Sequence, residues 1–389
     1  MPVGEEKVTS VAVDDNRWGD SRTAVEIRQQ PGAWRRVARA VAHARSDIDR
    51  LLGEALVDPR TRVVLTGAGT SAFVGQVVAP DLTRHLGRQV EAIATTDIVA
   101  GPRSVVVDDR PLLLVSFARS GNSPESVAAA DLVHRLAPSA HHLVITCDAA
   151  GELARRWSDA KKAVVLVLPP ELNDRGFAMT SSFTGMVLAA LLSLGPEVDV
   201  EAAARVASAV LDTAGSRAAA IAAAEPSRLV YLGSGALKGL AREAALKCLE
   251  LTAGAVVAVS DSPLGFRHGP KSILDERTTA VVFHSADRYT RGYDEDITRE
   301  LVRSLGPDRV IAVGGADEAP GGARVWPMPG TAAWPDALRA MVAVIPAQAI
   351  ALACSVARGL EPDNPFPGGE VNRVVQGVVI HDFVPPSEG

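Results

Sequence analysis

The chain has 389 residues, 47% hydrophobic and 22% charged, with a formal net charge of −6. This is the composition of a globular protein with more than one domain. Both signs of charge are interspersed without a long basic run, which argues against a nucleic-acid partner.

In chain order, residues 1–50 are polar at first and then rich in Ala, Arg and Asp at helical spacing, a helical N-terminal segment. The start, Met1-Pro-Val-Gly-Glu-Glu6, lacks the basic and apolar regions of a signal peptide. After Arg60, short apolar runs at 63–66, 90–94, 112–117, 142–146 and 164–168 alternate with helical stretches at 71–86 and 124–136, and a helix over 181–194 closes the unit. Apolar strands alternating with helices predict an α/β fold whose parallel sheet is covered on both faces. An Ala-rich helix over 201–224 follows. The rhythm then restarts with strands at 229–232, 256–259, 279–284 and 310–313, and helices at 237–252, 290–304 and 335–357. Both halves open with strand, Gly-x-Gly and amphipathic helix, which reads as a duplication. The expected division is 1–50, a first α/β domain over 51–212, a second over 213–361, and an irregular proline-containing tail over 362–389. The apolar segment 341–357 is shorter than a bilayer span and holds Pro346 and Gln348, so it predicts a buried helix rather than a membrane anchor. Cys147, Cys248 and Cys354 show no metal-ligand spacing and read as buried thiols of a reducing compartment. The expectation is a cytoplasmic protein that carries no metal and no cofactor.

Two turns after predicted strands suit a phosphate. In the first, Gly67 and Gly69 allow close backbone approach, and Thr70 or Ser71 can cap the next helix, whose N-terminus favours an anion. A Gly-rich turn with a capping hydroxyl is also ordinary βα chemistry, and the third glycine of a dinucleotide fingerprint is absent. In the second, Arg119, Ser120, Gly121, Asn122 and Ser123 precede Pro124 at a helix start. Here an arginine fork joins the hydroxyls, and no Gly-Lys-Ser/Thr ending marks a nucleotide loop. Together the two turns favour a small phosphorylated molecule.

Further along, Glu243, Lys247 and Glu250 fall at i, i+4 and i+7 of a helix and share one face. With His268 of Arg267-His-Gly-Pro270 they could move protons on a substrate. The same charges on a solvated helix would be plain ion pairs.

Gly69-Thr-Ser71, Arg119-Ser-Gly-Asn-Ser123, Glu243-Ala-Ala-Leu-Lys247 through Glu250, and Arg267-His-Gly-Pro270 resemble tandem sugar isomerase (SIS) domains, as in the isomerase half of glucosamine-6-phosphate synthase. Tyr289-Thr-Arg-Gly-Tyr293 and the tail from Pro362 to Gly377 are similar to one branch, the galactosamine-6-phosphate deaminase/isomerases, also called tagatose-6-phosphate ketose/aldose isomerases. The resemblance spans roughly residues 50–383. It implies a phosphate bound by Thr70, Ser71, Ser120 and Ser123, with Gly69 and Gly121 shaping the turns. It implies a proton shuttle at Glu250, with Glu243 and Lys247 beside it, and ring opening by His268 reaching in from a neighbouring subunit of a homodimer or larger oligomer. Gly176-Phe-Ala-Met-Thr-Ser-Ser182 matches the sugar-contacting loop, with Met179 in place of a hydroxyl residue. Ala118 and Arg119 stand where the synthase has serine and glutamine. The chain ends Pro386-Ser-Glu-Gly389, where the synthase ends in a lysine, and no counterpart of the glutaminase domain with which the synthase starts is expected. The expected activity is conversion of galactosamine 6-phosphate to tagatose 6-phosphate and ammonia. Plain aldose–ketose isomerisation is the alternative, and a non-catalytic phosphosugar sensor a further one.

Overall fold

Helices α1 (Arg22–His43) and α2 (Arg45–Ala55) open the computed structural model, which describes residues 19–137, 139–314 and 319–384. Met1 to Glu6, Pro385 and the ending Pro386 to Gly389 lie outside the described residues. The Ser21 hydroxyl accepts from the Ala24 N–H and caps α1, whose apolar stripe of Ile27, Trp34, Val37 and Val41 is buried.

The first α/β unit follows as β1 (Arg62–Thr66), α3 (Thr70–Leu86), β2 (Val90–Ala92), α4 (Thr95–Ala100), β3 (Leu112–Ala118), α5 (Pro124–Leu136), β4 (His141–Thr146), α6 (Glu152–Trp157), β5 (Ala163–Val167) and α7 (Ser181–Leu194). Helix α8 (Val200–Ala222) leads to the second unit: β6 (Arg228–Leu232), α9 (Ala236–Leu251), β7 (Val257–Asp261), α10 (Pro263–Phe266), β8 (Thr278–Phe283), α11 (Arg288–Leu305), β9 (Val310–Val313), β10 (Arg324–Trp326) and α12 (Asp336–Ala357).

Every strand pairing among the described residues is parallel. The sheets run β2-β1-β3-β4-β5 and β7-β6-β8-β9-β10, so the second repeats the strand order of the first. The turns repeat as well. Gly69 has φ 54° and ψ −126°, and Gly235 has φ 54° and ψ −124°. A side chain on Gly67 would stand 2.5 Å from the Ser71 backbone, and one on Gly233 2.4 Å from the Leu237 carbonyl. Both Gly-x-Gly turns therefore need glycine for closeness at the first position and for left-handed backbone at the second. The duplication expected from sequence is present in the fold.

Alternate strand residues face different cores, as a sheet covered on both sides requires. Val63 and Leu65 of β1 join a central core, and Val64 joins an outer one. Tyr231 of β6 and Phe283 of β8 join the same central core, while Val230 and Val282 face outward to a third cluster. A layer of helices, chiefly α3, α7, α8, α9 and α12, is thus shared between the two sheets. Helix α12 extends beyond the apolar segment 341–357, as the expected helix over 335–357 does; its 22 residues, with a mean hydropathy of 2.0 over the most apolar 18, are enough by length to cross a bilayer. It is 83% buried over its most apolar window, packed on α8 and α9, so it is a core helix. All three cysteines are buried free thiols. His142 is buried in β4, stacked on Trp157 at 3.8 Å.

Candidate active site

The first Gly-x-Gly turn ends differently from the sequence expectation. Gly69 itself occupies the N-cap of α3, and no side chain caps the helix. Thr70 and Ser71 lie inside the first turn, both buried. Freed from capping, the Thr70 hydroxyl accepts a hydrogen bond from Lys247 Nζ at 2.9 Å. That bond crosses from the first half of the molecule to the second. It is possible because α3 and α9 pack closely, and Gly239 of α9 lies against the α3 backbone at Gln76 and Val77.

On α9 the predicted face is real, and it is buried rather than solvated. Glu243 is 0% and Lys247 1% exposed, while Glu250 is half-buried. Lys247 Nζ lies 3.5 Å from Glu243 Oε1 and is in direct contact with Glu250 Oε2. One ammonium faces two carboxyls. The two carboxylates hold its pKa above the usual value although burial works against the charge. Neither oxygen of Glu243 meets the geometry of a hydrogen bond, and burial foremost raises its pKa to about 8, against the pull of Lys247. At neutral pH Glu243 is therefore protonated, while Lys247 keeps its charge in direct contact with Glu250. A water-accessible carboxylate beside a buried ammonium can take and return a substrate proton.

The second turn lies after β3. Ser123 occupies the N-cap of α5 in extended backbone, with Pro124 in the first turn, and its hydroxyl lies 2.6 Å from that of Ser126. Gly121 adopts φ 66°. Ser120 Oγ accepts from the Asn122 N–H at 3.3 Å, and Asn122 Oδ1 accepts from the Glu152 N–H at 2.9 Å. Arg119 is only 7% exposed. Its guanidinium donates to two backbone carbonyls, Phe177 at 3.2 Å and Arg373 at 2.7 Å. Burial and then Arg373 lower its pKa, while Asp174 and Glu250 act in the opposite sense, so this cation stands in the field of one α9 carboxyl, Glu250, and of Asp174.

His268 is set apart. It follows α10 on an exposed loop, and no hydrogen bond to its imidazole occurs among the described residues. Neighbouring Arg267 and Lys271 both reach Glu300 on α11 and lower its carboxyl pKa. The loop is thus anchored while the histidine projects free.

Sequence reasoning did not single out Asp174. Its carboxylate is fully buried and accepts from the Thr180 N–H at 2.8 Å, the Ser182 N–H at 2.8 Å and the Ser182 hydroxyl at 2.6 Å, as well as from the Ser181 hydroxyl. It organises the 176–182 loop from within. The position of Asp174 six to eight residues before these donors was the available signal.

The chain is similar to known proteins along most of its length. The SIS domain matches residues 55–194. A Streptomyces coelicolor protein carrying the AgaS name is 53% identical over 96% of this chain and 98% of its own length. The Escherichia coli protein named D-galactosamine-6-phosphate deaminase AgaS is 44% identical over 97% of this chain and 99% of its own. Among solved structures, tagatose-6-phosphate ketose/aldose isomerase from Escherichia coli superposes with a TM-score of 0.87 at 41% identity, covering 94% of this chain and 97% of that one. The C-terminal domain of glucosamine-fructose-6-phosphate aminotransferase from Francisella tularensis shares the fold, with a TM-score of 0.73 at 17% identity over 89% of this chain and 99% of that one. With identity this high over nearly its whole length, the chain belongs to the AgaS family of SIS-domain proteins.

Proposed function

We propose that the protein is an amino-sugar-phosphate deaminase/isomerase that converts galactosamine 6-phosphate to tagatose 6-phosphate and ammonia. The observation that carries this reading is the Thr70–Lys247–Glu250 chain at the seam of the two halves, beside a hydroxyl-rich turn and a buried arginine. The relatives named as galactosamine-6-phosphate deaminases supply the amine at C2.

The phosphate binds at Ser71, Ser120 and Ser123, with Arg119 adding charge, and this remote anchor orients the reacting carbons. His268, from a second subunit, assists ring opening to the aldehyde. Glu250 removes the proton from C2, giving an enolamine. Return of a proton to C1 yields a C2 imine. Water adds to the imine carbon, ammonia leaves, and the ketose 6-phosphate remains. With a hydroxyl at C2 the same steps give an enediol and an aldose–ketose isomerisation. That second reading is favoured by the solved relative named as a ketose/aldose isomerase. The active assembly is at least a dimer, and the buried free thiols suit a reducing cytoplasm.

Incubation with galactosamine 6-phosphate, following ammonia and ketose separately, tests the assignment. Equimolar ammonia and ketose are expected. Exchange of the C2 proton with solvent but no ammonia would leave a plain isomerase. Equal affinity for phosphorylated and unphosphorylated sugar would remove the phosphate site.

A further inference from the structure

The tail after α12 has no regular secondary structure among its described residues, yet it is tied to the body at defined points. The Asp363 carboxylate accepts from the Arg22 N–H at 2.7 Å, the Thr23 N–H at 2.9 Å and the Thr23 hydroxyl at 2.8 Å, so it sits on the N-terminus of α1. Phe366 packs on Phe177 with ring centroids 5.2 Å apart. Ten residues after Asp363, Arg373 does two things at once. Its guanidinium donates to the Asp174 carbonyl, and its own carbonyl accepts from Arg119 at 2.7 Å.

These contacts converge on one segment. Asp174 is the hub of the 176–182 loop, and Phe177 holds Arg119 through its carbonyl. Arg119 immediately precedes Ser120 of the phosphate turn and feels the charge of Glu250. Arg373 thus links the tail to both segments that border the phosphosugar site. Its side chain is exposed and no carboxylate pairs with it among the described residues, so surface charge pairing does not explain its placement. A guanidinium donating to a backbone carbonyl fixes that carbonyl's position rather than neutralising a charge.

Resting on the phosphosugar reading above, we propose that the tail is a clasp and that Arg373 is a positioning residue, holding Asp174 and Arg119 so that the 176–182 loop and the phosphate turn are set for substrate. Asp363 and Phe366 seat the clasp on one side of the loop, and Arg373 closes it on the other. The contribution falls on binding and orientation, because Arg373 touches neither Glu250 nor Lys247.

The test uses the full chain with Arg373→Ala and Arg373→Lys. Hydrogen exchange at the Thr180 and Ser182 amides is read without ligand, and steady-state turnover of galactosamine 6-phosphate is read alongside melting temperature. Arg373→Ala is expected to speed exchange at both amides and to raise KM about tenfold with a smaller change in kcat, at an unchanged melting temperature. Arg373→Lys, which keeps a charged donor, is expected to recover most of the KM. Wild-type exchange and wild-type KM in Arg373→Ala would overturn the clasp. So would equal impairment of both variants with a matching fall in melting temperature, which is a merely structural role. If the wild type released neither ammonia nor ketose, the functional reading would fall instead, and the ligand-free exchange would still decide whether Arg373 holds the loop.

Discussion

Glu243 and Glu250 are chemically identical and differ in what surrounds them. Glu243 is sealed in the seam with its pKa raised to about 8, whereas Glu250 is half-exposed and in contact with Lys247. Glutamine imitates a protonated carboxyl and abolishes a base, so the same substitution has opposite meanings at the two positions. Glu250→Gln is expected to cut turnover by about 10²–10⁴ while leaving phosphosugar binding nearly intact. Glu243→Gln is expected to stay within a few-fold of wild type at pH 7. Above about pH 8 the wild type gains a buried anion beside Lys247 that Glu243→Gln cannot acquire, so the wild-type rate should change there and the variant's should not follow it. Rate against pH for both variants checks this, and equal damage at pH 7 would make Glu243 a working base. The shared face of Glu243, Lys247 and Glu250 was legible because helical spacing is local. The Thr70–Lys247 bond was not, since its partners are 177 residues apart and a hydroxyl after a Gly-x-Gly turn reads first as a cap. Arg373 was hidden for a related reason: its partners are backbone atoms, which no residue pattern marks.

Among elements, α5, α7 and β9 lie where the sequence places them, and the other expected elements differ at their ends by a few residues. Long periodic runs carry their own signal. The short pieces α4, α6, α10 and β10 were missed, because three to six residues are too few to show a period. The packing of α3 on α9 was also beyond local reading, although a glycine inside a helix was a hint of close approach. A Cβ at Gly239 would fall 2.9 Å from the Gln76 carbonyl carbon and 2.9 Å from the Val77 nitrogen, both rigid backbone. Gly239→Ala should therefore push α9 away from α3 rather than displace a flexible side chain. Overpacking of this kind costs about 1–3 kcal/mol, partly offset by the better helix propensity of alanine. Denaturant midpoints should record the loss. Activity should fall further than stability alone explains, because the same shift lengthens the Thr70–Lys247 bond. A variant as stable and active as wild type would show that the crossing is slack.

The whole molecule uses its two halves unequally. The second Gly-x-Gly turn borders a cavity of about 600 Å³ at the place corresponding to the proposed phosphate turns, yet Asp81, Asp287 and Asp336 line it with Arg84 as the one cation among the lining residues. Three carboxylates against one guanidinium disfavour a phosphate dianion there, so under the proposed mechanism the first half holds the phosphate and the second supplies the proton chemistry on α9. Such a division leaves His268 unexplained within one chain, since it stands exposed with its loop anchored by Glu300. A twofold assembly explains it if each His268 completes the site of its neighbour. His268→Ala and Glu250→Gln should each be inactive alone. When the two are unfolded together and refolded as mixed dimers, each heterodimer carries one site with both substitutions and one with neither. Random pairing should then restore about a quarter of wild-type turnover. If His268 serves its own chain, every site in the heterodimer keeps one defect and no turnover returns. Mixed dimers verified by mass that remain inactive would therefore place the whole site in a single chain.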